Sequence, residues 1–144
     1  MQVNDVTEPA EATWKSLTSE DPSTKNRTTL DLPHNNIDTR IAISLSKNTS
    51  WKNLTTLYLQ WNNIGAEEAT ELSKNTSWTN LTTLNLQWNN IRDEGAARLS
   101  ESFSWMNLTT LYLNNSNNIS EKGASEIRAR WPKIDLYIID DRMA

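Results

Sequence analysis

The chain has 144 residues, with 14 Lys and Arg against 18 Asp and Glu, for a formal charge of −4 and a pI near 5.0. That length suits one compact domain or one short stack of repeats, and the acidic balance disfavours non-specific binding to nucleic acid or to an acidic membrane surface. With no cysteine and one histidine, His34, the sequence excludes disulfides, thiolate metal sites and cysteine nucleophiles, and leaves little for imidazole chemistry. No metal and no cofactor are expected.

The first residues, Met1 to Asp5, have neither the basic region nor the apolar core of a secretion signal, and no membrane-length apolar run follows at a mean hydropathy of −0.69. A soluble chain is expected, located in a cytoplasm or delivered into a host cytoplasm. Residues 1–25 read as a capping helix and linker. Thr7 stands as the cap, Pro9 falls in the first turn, and Ala10, Trp14 and Leu17 share one face.

The next hundred or so residues are built by copying. An offset of 27 lays Leu45–Trp51 over Leu72–Trp78, and residues 45–71 and 72–98 differ at only a few positions. A third copy starts at Leu99, and a degenerate earlier one holds Thr28-Thr29-Leu30-Asp31-Leu32. In each unit, leucines alternating with polar residues (Leu57 and Leu59, Leu84 and Leu86) predict a short strand. The second half, for example Arg92 to Ser102, places Ala96, Leu99 and Phe103 at helical spacing and predicts an amphipathic helix. Copies that stack in one sense must run their strands parallel, with each helix as the return segment. A right-handed α/β solenoid follows.

The pattern L-x-x-L-x-L-x-x-N-x-I, from Leu54 to Ile64 and from Leu81 to Ile91, resembles the leucine-rich repeat. The 27-residue period, the helical outer half and the pairs Gly95-Ala96 and Gly123-Ala124 resemble the ribonuclease-inhibitor-like subclass. This resemblance implies a short horseshoe with a parallel concave sheet and convex helices, comprising four repeats over residues 26–131. Ile41 and Glu68 depart from it by standing where later units have Gly95 and Gly123, and one extra residue in Asn114–Asn118 predicts an irregular turn after the fourth strand. Residues 132–144 read as a capping strand, Ile134 to Ile139, with a polar tail; the strand is expected beside Leu111–Leu113.

Two recurring columns read as structural. Asn35, Asn62, Asn89 and the shifted Asn117 follow the strands and should satisfy buried turn groups with both amide functions. Trp51, Trp78 and Trp105 precede the strands and should anchor the core. The Asn-x-Ser/Thr triplets, such as those at Asn48 and Asn80, read as accidents of copying. The candidate site lies on the sheet's concave face, where alternate side chains escape the leucine core. A threonine band there suits strands irrespective of any ligand. The next column, Asp31, Tyr58, Asn85 and Tyr112, varies on a copied background, flanked by Gln60, Gln87 and Asn114 and by Trp61 and Trp88. Tyrosine and tryptophan on a rigid sheet are common contact anchors, although the two indoles could simply stack on each other.

Enzymatic activity is not expected, because the face offers only Asp31 and His34 for acid–base work and there is no phosphate-cradling glycine loop. The expected function is a monomeric, non-catalytic protein-interaction module that binds its partner on the concave sheet, and involves neither nucleic acid nor membrane. The alternatives are a glycan-binding surface, with flat aromatics stacking on sugars, and a structural spacer or fragment of a longer array.

Overall fold

The computed structural model describes residues 26–139, so the capping helix expected in residues 1–25 and the polar tail beyond Ile139 lie outside the described residues. Strands β1 (Thr29–Asp31), β2 (Thr56–Tyr58), β3 (Thr83–Asn85), β4 (Thr110–Tyr112) and β5 (Asp135–Tyr137) alternate with helices α1 (Thr39–Ser46), α2 (Ala66–Ser73), α3 (Arg92–Leu99) and α4 (Glu121–Arg130). The strands form one parallel sheet in chain order, paired residue for residue at the repeat offset. β5 pairs with β4 at Leu111 and Leu136, which places the capping strand where its sequence indicated.

Each of the first four three-residue strands buries its central leucine. Leu30, Leu57, Leu84 and Leu111 stack in register with essentially no exposure, and Leu136 is a half-buried fifth rung. Such short strands persist because the ladder continues through the flanking loops. Thr55 Oγ1 donates to Thr28 O, Thr82 Oγ1 to Thr55 O and Thr109 Oγ1 to Thr82 O, at 3.1, 3.1 and 3.2 Å. The first threonine of each unit therefore ties neighbouring repeats together.

The asparagine column is an internal ladder. Asn62 N–H donates to Asn89 Oδ1 (2.9 Å), as does Ile64 N–H (2.9 Å), while Asn89 Nδ2 donates to Leu59 O, Leu86 O and Gln87 O. Asn35 N–H donates to Asn62 Oδ1 and Ile91 N–H to Asn117 Oδ1, so the ladder crosses the inserted residue unbroken. Positive φ at Asn115, Ser116 and Asn118 marks the irregular turn that absorbs the insertion.

A second ladder, at the helix exits, went unrecognised in the sequence. Asn48 Oδ1 accepts from the N–H groups of Ser50 and Trp51, and Asn75 Oδ1 from those of Ser77 and Trp78. Asn48 and Asn75 are buried, so these amides are structural, and each presents the indole that follows it to the core. Trp51, Trp78 and Trp105 are fully buried as expected, and the rings of Trp78 and Trp105 stack. Phe103 corrects the helical reading: α3 stops at Leu99, and Phe103 is 90% exposed on the loop beyond it.

The glycine departures have a packing explanation. A Cβ on Gly123 would lie 2.5 Å from Asp93 Oδ1, so α4 admits the Asp93 carboxylate only because that position is bare. Asp93 accepts from Ser120 Oγ and, at 2.8 Å, from Ser120 N–H, so it caps α4 from the neighbouring repeat. Where Glu68 replaces glycine, its carboxylate works backwards, accepting from Thr39 Oγ1 (2.7 Å) and from Gly65 N–H (2.8 Å).

The Ser120 hydroxyl, then the Ser120 N–H, hold the Asp93 carboxyl below the usual carboxylate range, with Gly123 N–H and Lys122 adding to them against a smaller opposing effect of burial. A folded-state pKa below the unfolded one means stability that is present above the unfolded value, about 3.9 for aspartate, and is lost as pH falls through the folded value. The melting-temperature gap between the native chain and Asp93→Asn should therefore be widest near neutrality and close on acidification below about pH 4. A gap that stays constant from neutral to acid pH would contradict this role.

Candidate interaction surface

The face of the sheet turned away from the leucine core carries Asp31, Tyr58, Asn85, Tyr112 and Tyr137 in one register row, since each is the last residue of its strand. Tyr137 is the member of this row that sequence reasoning missed. Its signal was the match of Asp135-Leu136-Tyr137 to Thr110-Leu111-Tyr112. The Tyr112 and Tyr137 rings stack with centroids 4.6 Å apart and planes within 11°. Tyr58 and Tyr112 are half-buried and flank Asn85.

Beside this row runs a ring stack. His34 and Trp61 lie 5.5 Å apart, and Trp61 and Trp88 lie 4.5 Å apart with planes only 7° from parallel. All three residues have φ near +58°, a left-handed backbone that is rare for bulky side chains. Two features hold it. The N–H groups of His34, Trp61 and Trp88 donate to Gln60 O, Gln87 O and Asn115 O of the next unit, and the rings gain contact at the repeat spacing. The backbone turn lifts the indoles out of the sheet, and Trp61 remains 47% exposed. The indoles do stack on each other, and Trp61 also stands on the surface.

The expected contact residues divide by accessibility. Asp31, Tyr58, Gln60, Gln87, Trp88 and Tyr112 are half-buried on the face. Asn85 and Asn114 are only 7% and 5% exposed, which corrects their reading as open surface amides. Asn85 is drawn down by its neighbour: its Oδ1 accepts from Gln87 N–H at 3.0 Å and its Nδ2 donates to Gln87 Oε1 at 3.2 Å. These two bonds tie the Gln87 side chain and backbone to Asn85. Gln60 Oε1, by contrast, has no hydrogen-bond partner among the described residues. Burial pushes the Asp31 carboxyl up from its usual value, at the end of the row remote from Tyr137. No cluster of three His, Asp or Glu side chains able to hold a metal ion occurs among the described residues, and no described helix is long and apolar enough to cross a membrane.

Known proteins share this geometry. Residues 52–73 and 79–100 match the family model described as Leucine Rich repeat. A solved structure of "Leiomodin-1 Actin-Binding Site 2 (ABS2)" superposes with a TM-score of 0.64 at 19% identity, covering 91% of this chain and 80% of that one. No curated protein sequence matches the chain significantly. The fold is thus that of a leucine-rich-repeat protein: an α/β solenoid with the sheet on its concave side and the helices on its convex side. Residues 52–73 and 79–100 are themselves leucine-rich repeats of this solenoid.

Proposed function

We propose that the chain is a non-catalytic protein-interaction module whose partner docks on the sheet face over Tyr58, Trp61, Trp88, Tyr112 and Tyr137, with Asp31, Gln60 and Gln87 among them and Asn85 and Asn114 beneath. The observation that carries this reading is the aromatic surface itself. The backbone accepts left-handed strain at Trp61 and Trp88 and so raises two indoles beside a tyrosine row on a rigid sheet. A protein partner is favoured over a glycan because His34 and Trp88 cover both faces of the Trp61 ring, so that the most exposed indole of the face offers a partner its edge and no platform for a sugar. We assign the repeats to the ribonuclease-inhibitor-like subclass and divide the chain into a cap over residues 1–25, four repeats over residues 26–131 and a closing strand and tail over residues 132–144.

The quadruple substitution of Tyr58, Trp61, Trp88 and Tyr112 by Ala should abolish partner capture, because interface-centre anchors each contribute about 2 kcal/mol or more to binding. The leucine core lies on the other side of the sheet, so the variant should still unfold cooperatively. Glu71→Ala and Arg98→Ala serve as controls. These side chains make local helix-side ion pairs, with Lys74 at 3.0 Å and with Glu101 at 3.3 Å, and should leave binding unchanged. Because the structural neighbour is an actin-binding site, filamentous actin is the first defined protein to assay. Soluble oligosaccharides should not compete. Capture that survives the quadruple variant and fails in the helix variants would move the site to the convex side.

A further inference from the structure

Asn75 plugs the joint between two neighbouring repeats. Its Nδ2 donates to Leu45 O and Ser46 O at the end of α1, and to Asn48 O, at 3.1, 3.2 and 3.1 Å. Ser77 Oγ donates to Asn48 O as well. One repeat further on, the residue in the place of Asn75 is Ser102. Ser104 keeps the bond that Ser77 made, from its Oγ to Asn75 O. Ser102 is 2% exposed, and its Oγ has no partner among the described residues. The carbonyls of Leu72 and Ser73, which correspond to those that Asn75 caps on α1, therefore receive no donor from the residue-102 side chain. Donation resumes one unit later, where Nε and Nη2 of Arg130 reach Ser102 O at 3.2 and 3.0 Å.

This unplugged joint underlies a groove of about 880 Å³ between the ends of α2 and α3, lined in part by Ser73, Lys74, Glu101, Ser102, Phe103 and Met106. Phe103 is 90% and Met106 74% exposed. In the two preceding copies, Thr49 and Thr76 stand in the place of Phe103, and Lys52 and Thr79 in the place of Met106. Two polar surface positions thus became large and apolar in the same copy that lost its asparagine. A buried hydroxyl without a partner calls for one, and exposed apolar side chains beside a polar floor form the lip of a side-chain pocket. The preceding joint shows which chemistry fits: a primary amide, donating to helix-end carbonyls and able to accept from a hydroxyl. A cation would meet Lys74 and Arg130 on the rim. A carboxylate would meet Glu101 and the negative end of α2.

We propose that this groove binds a peptide segment of a partner protein, with an Asn or Gln carboxamide entering at Ser102 and an adjacent leucine side chain covering Phe103 and Met106. The site lies at the helix exits and does not depend on the sheet-face reading. The test uses blocked leucine–X–leucine tripeptides, with X as asparagine, glutamine, alanine, lysine or aspartate, titrated into the 15N-labelled full chain and followed at the amides of Ser102 and Phe103. The asparagine or glutamine peptide should bind about tenfold more tightly than the alanine one, the increment of one or two net hydrogen bonds. Ser102→Asn should erase that preference by plugging the joint internally. Phe103→Thr with Met106→Thr should weaken every peptide with the melting temperature unchanged. Each of these substitutions installs a residue already present in a sister repeat, so folding is expected to be retained. Equal binding of the alanine peptide, tighter binding of the lysine or aspartate peptide, or full binding by Ser102→Asn would each overturn the proposal. So would self-association in sedimentation that Phe103→Thr with Met106→Thr abolishes, which would assign the groove to a second copy of the chain.

Discussion

Asn89→Leu should lower the free energy of unfolding by about 3 kcal/mol or more, although it replaces a polar residue by an apolar one of similar size. Asn89 Oδ1 accepts from the N–H groups of Asn62 and Ile64, and its Nδ2 reaches the carbonyls of Leu59, Leu86 and Gln87. Each buried backbone group left without a partner costs roughly 1–3 kcal/mol, and the substitution strands several at once. The added apolar surface recovers only part of this, at about 25 cal/mol per Å². The effect should also spread along the solenoid, because a repeat that loses its joint to a neighbour loses the interface energy that makes the stack cooperative. The control is the next residue. Asn90 is exposed, its Oδ1 accepts from Arg92 Nε at the start of α3, and Asn90→Leu should be tolerated within about 0.5 kcal/mol. Urea unfolding of both variants checks the pair, and an Asn89→Leu curve that overlays the native one would mean that the ladder carries no stability.

Leu84→Ala should cost about 2–5 kcal/mol, the range for emptying a close-packed leucine site. Leu84 is the middle rung of the leucine row, in register with Leu57 on one side and Leu111 on the other, and is fully buried. Its removal opens a cavity that both neighbouring units line, and the short strands on either side cannot close over it without losing their pairing. Leu136→Ala gives the comparison. The same residue type at the same register of β5 is only half-buried, so less apolar surface returns to water and the loss should be smaller. Guanidinium melts would settle the order. A loss at Leu136 equal to that at Leu84 would show that the leucine row is not one continuous core.

These two rows serve the surface as well as the core. The leucines and the asparagine ladder position the loops so tightly that the backbone carries left-handed φ at Trp61 and Trp88. The interior thus supports the strain that the exposed aromatic face requires.

The architecture was legible in the sequence because period-two leucines, a repeat of 27 and a polar residue at a constant place after each strand all demand one arrangement. Copies related by a constant offset can bury their leucines together only by stacking in register, so the parallel sheet, the inner asparagine ladder and the buried Trp51, Trp78 and Trp105 followed from pattern alone. What the pattern did not determine was where each polar or aromatic side chain makes its contacts. Asn85 occupies a surface position by alternation, yet Gln87 and the neighbouring tyrosines enclose it. Phe103 continues the spacing of Ala96 and Leu99, yet α3 ends first and leaves it in water. Asn48 and Asn75 look like the tail of a helix followed by a loop, and for Asn75 only the approach of the neighbouring repeat gives the amide nitrogen its partners. Ser102 reads as an ordinary serine until the fold sets it against the carbonyls that an asparagine would have capped. Periodicity reports which way a side chain leaves the backbone, whereas hydrogen-bond satisfaction depends on atoms one repeat away. That distance exists only once the solenoid has closed its joints.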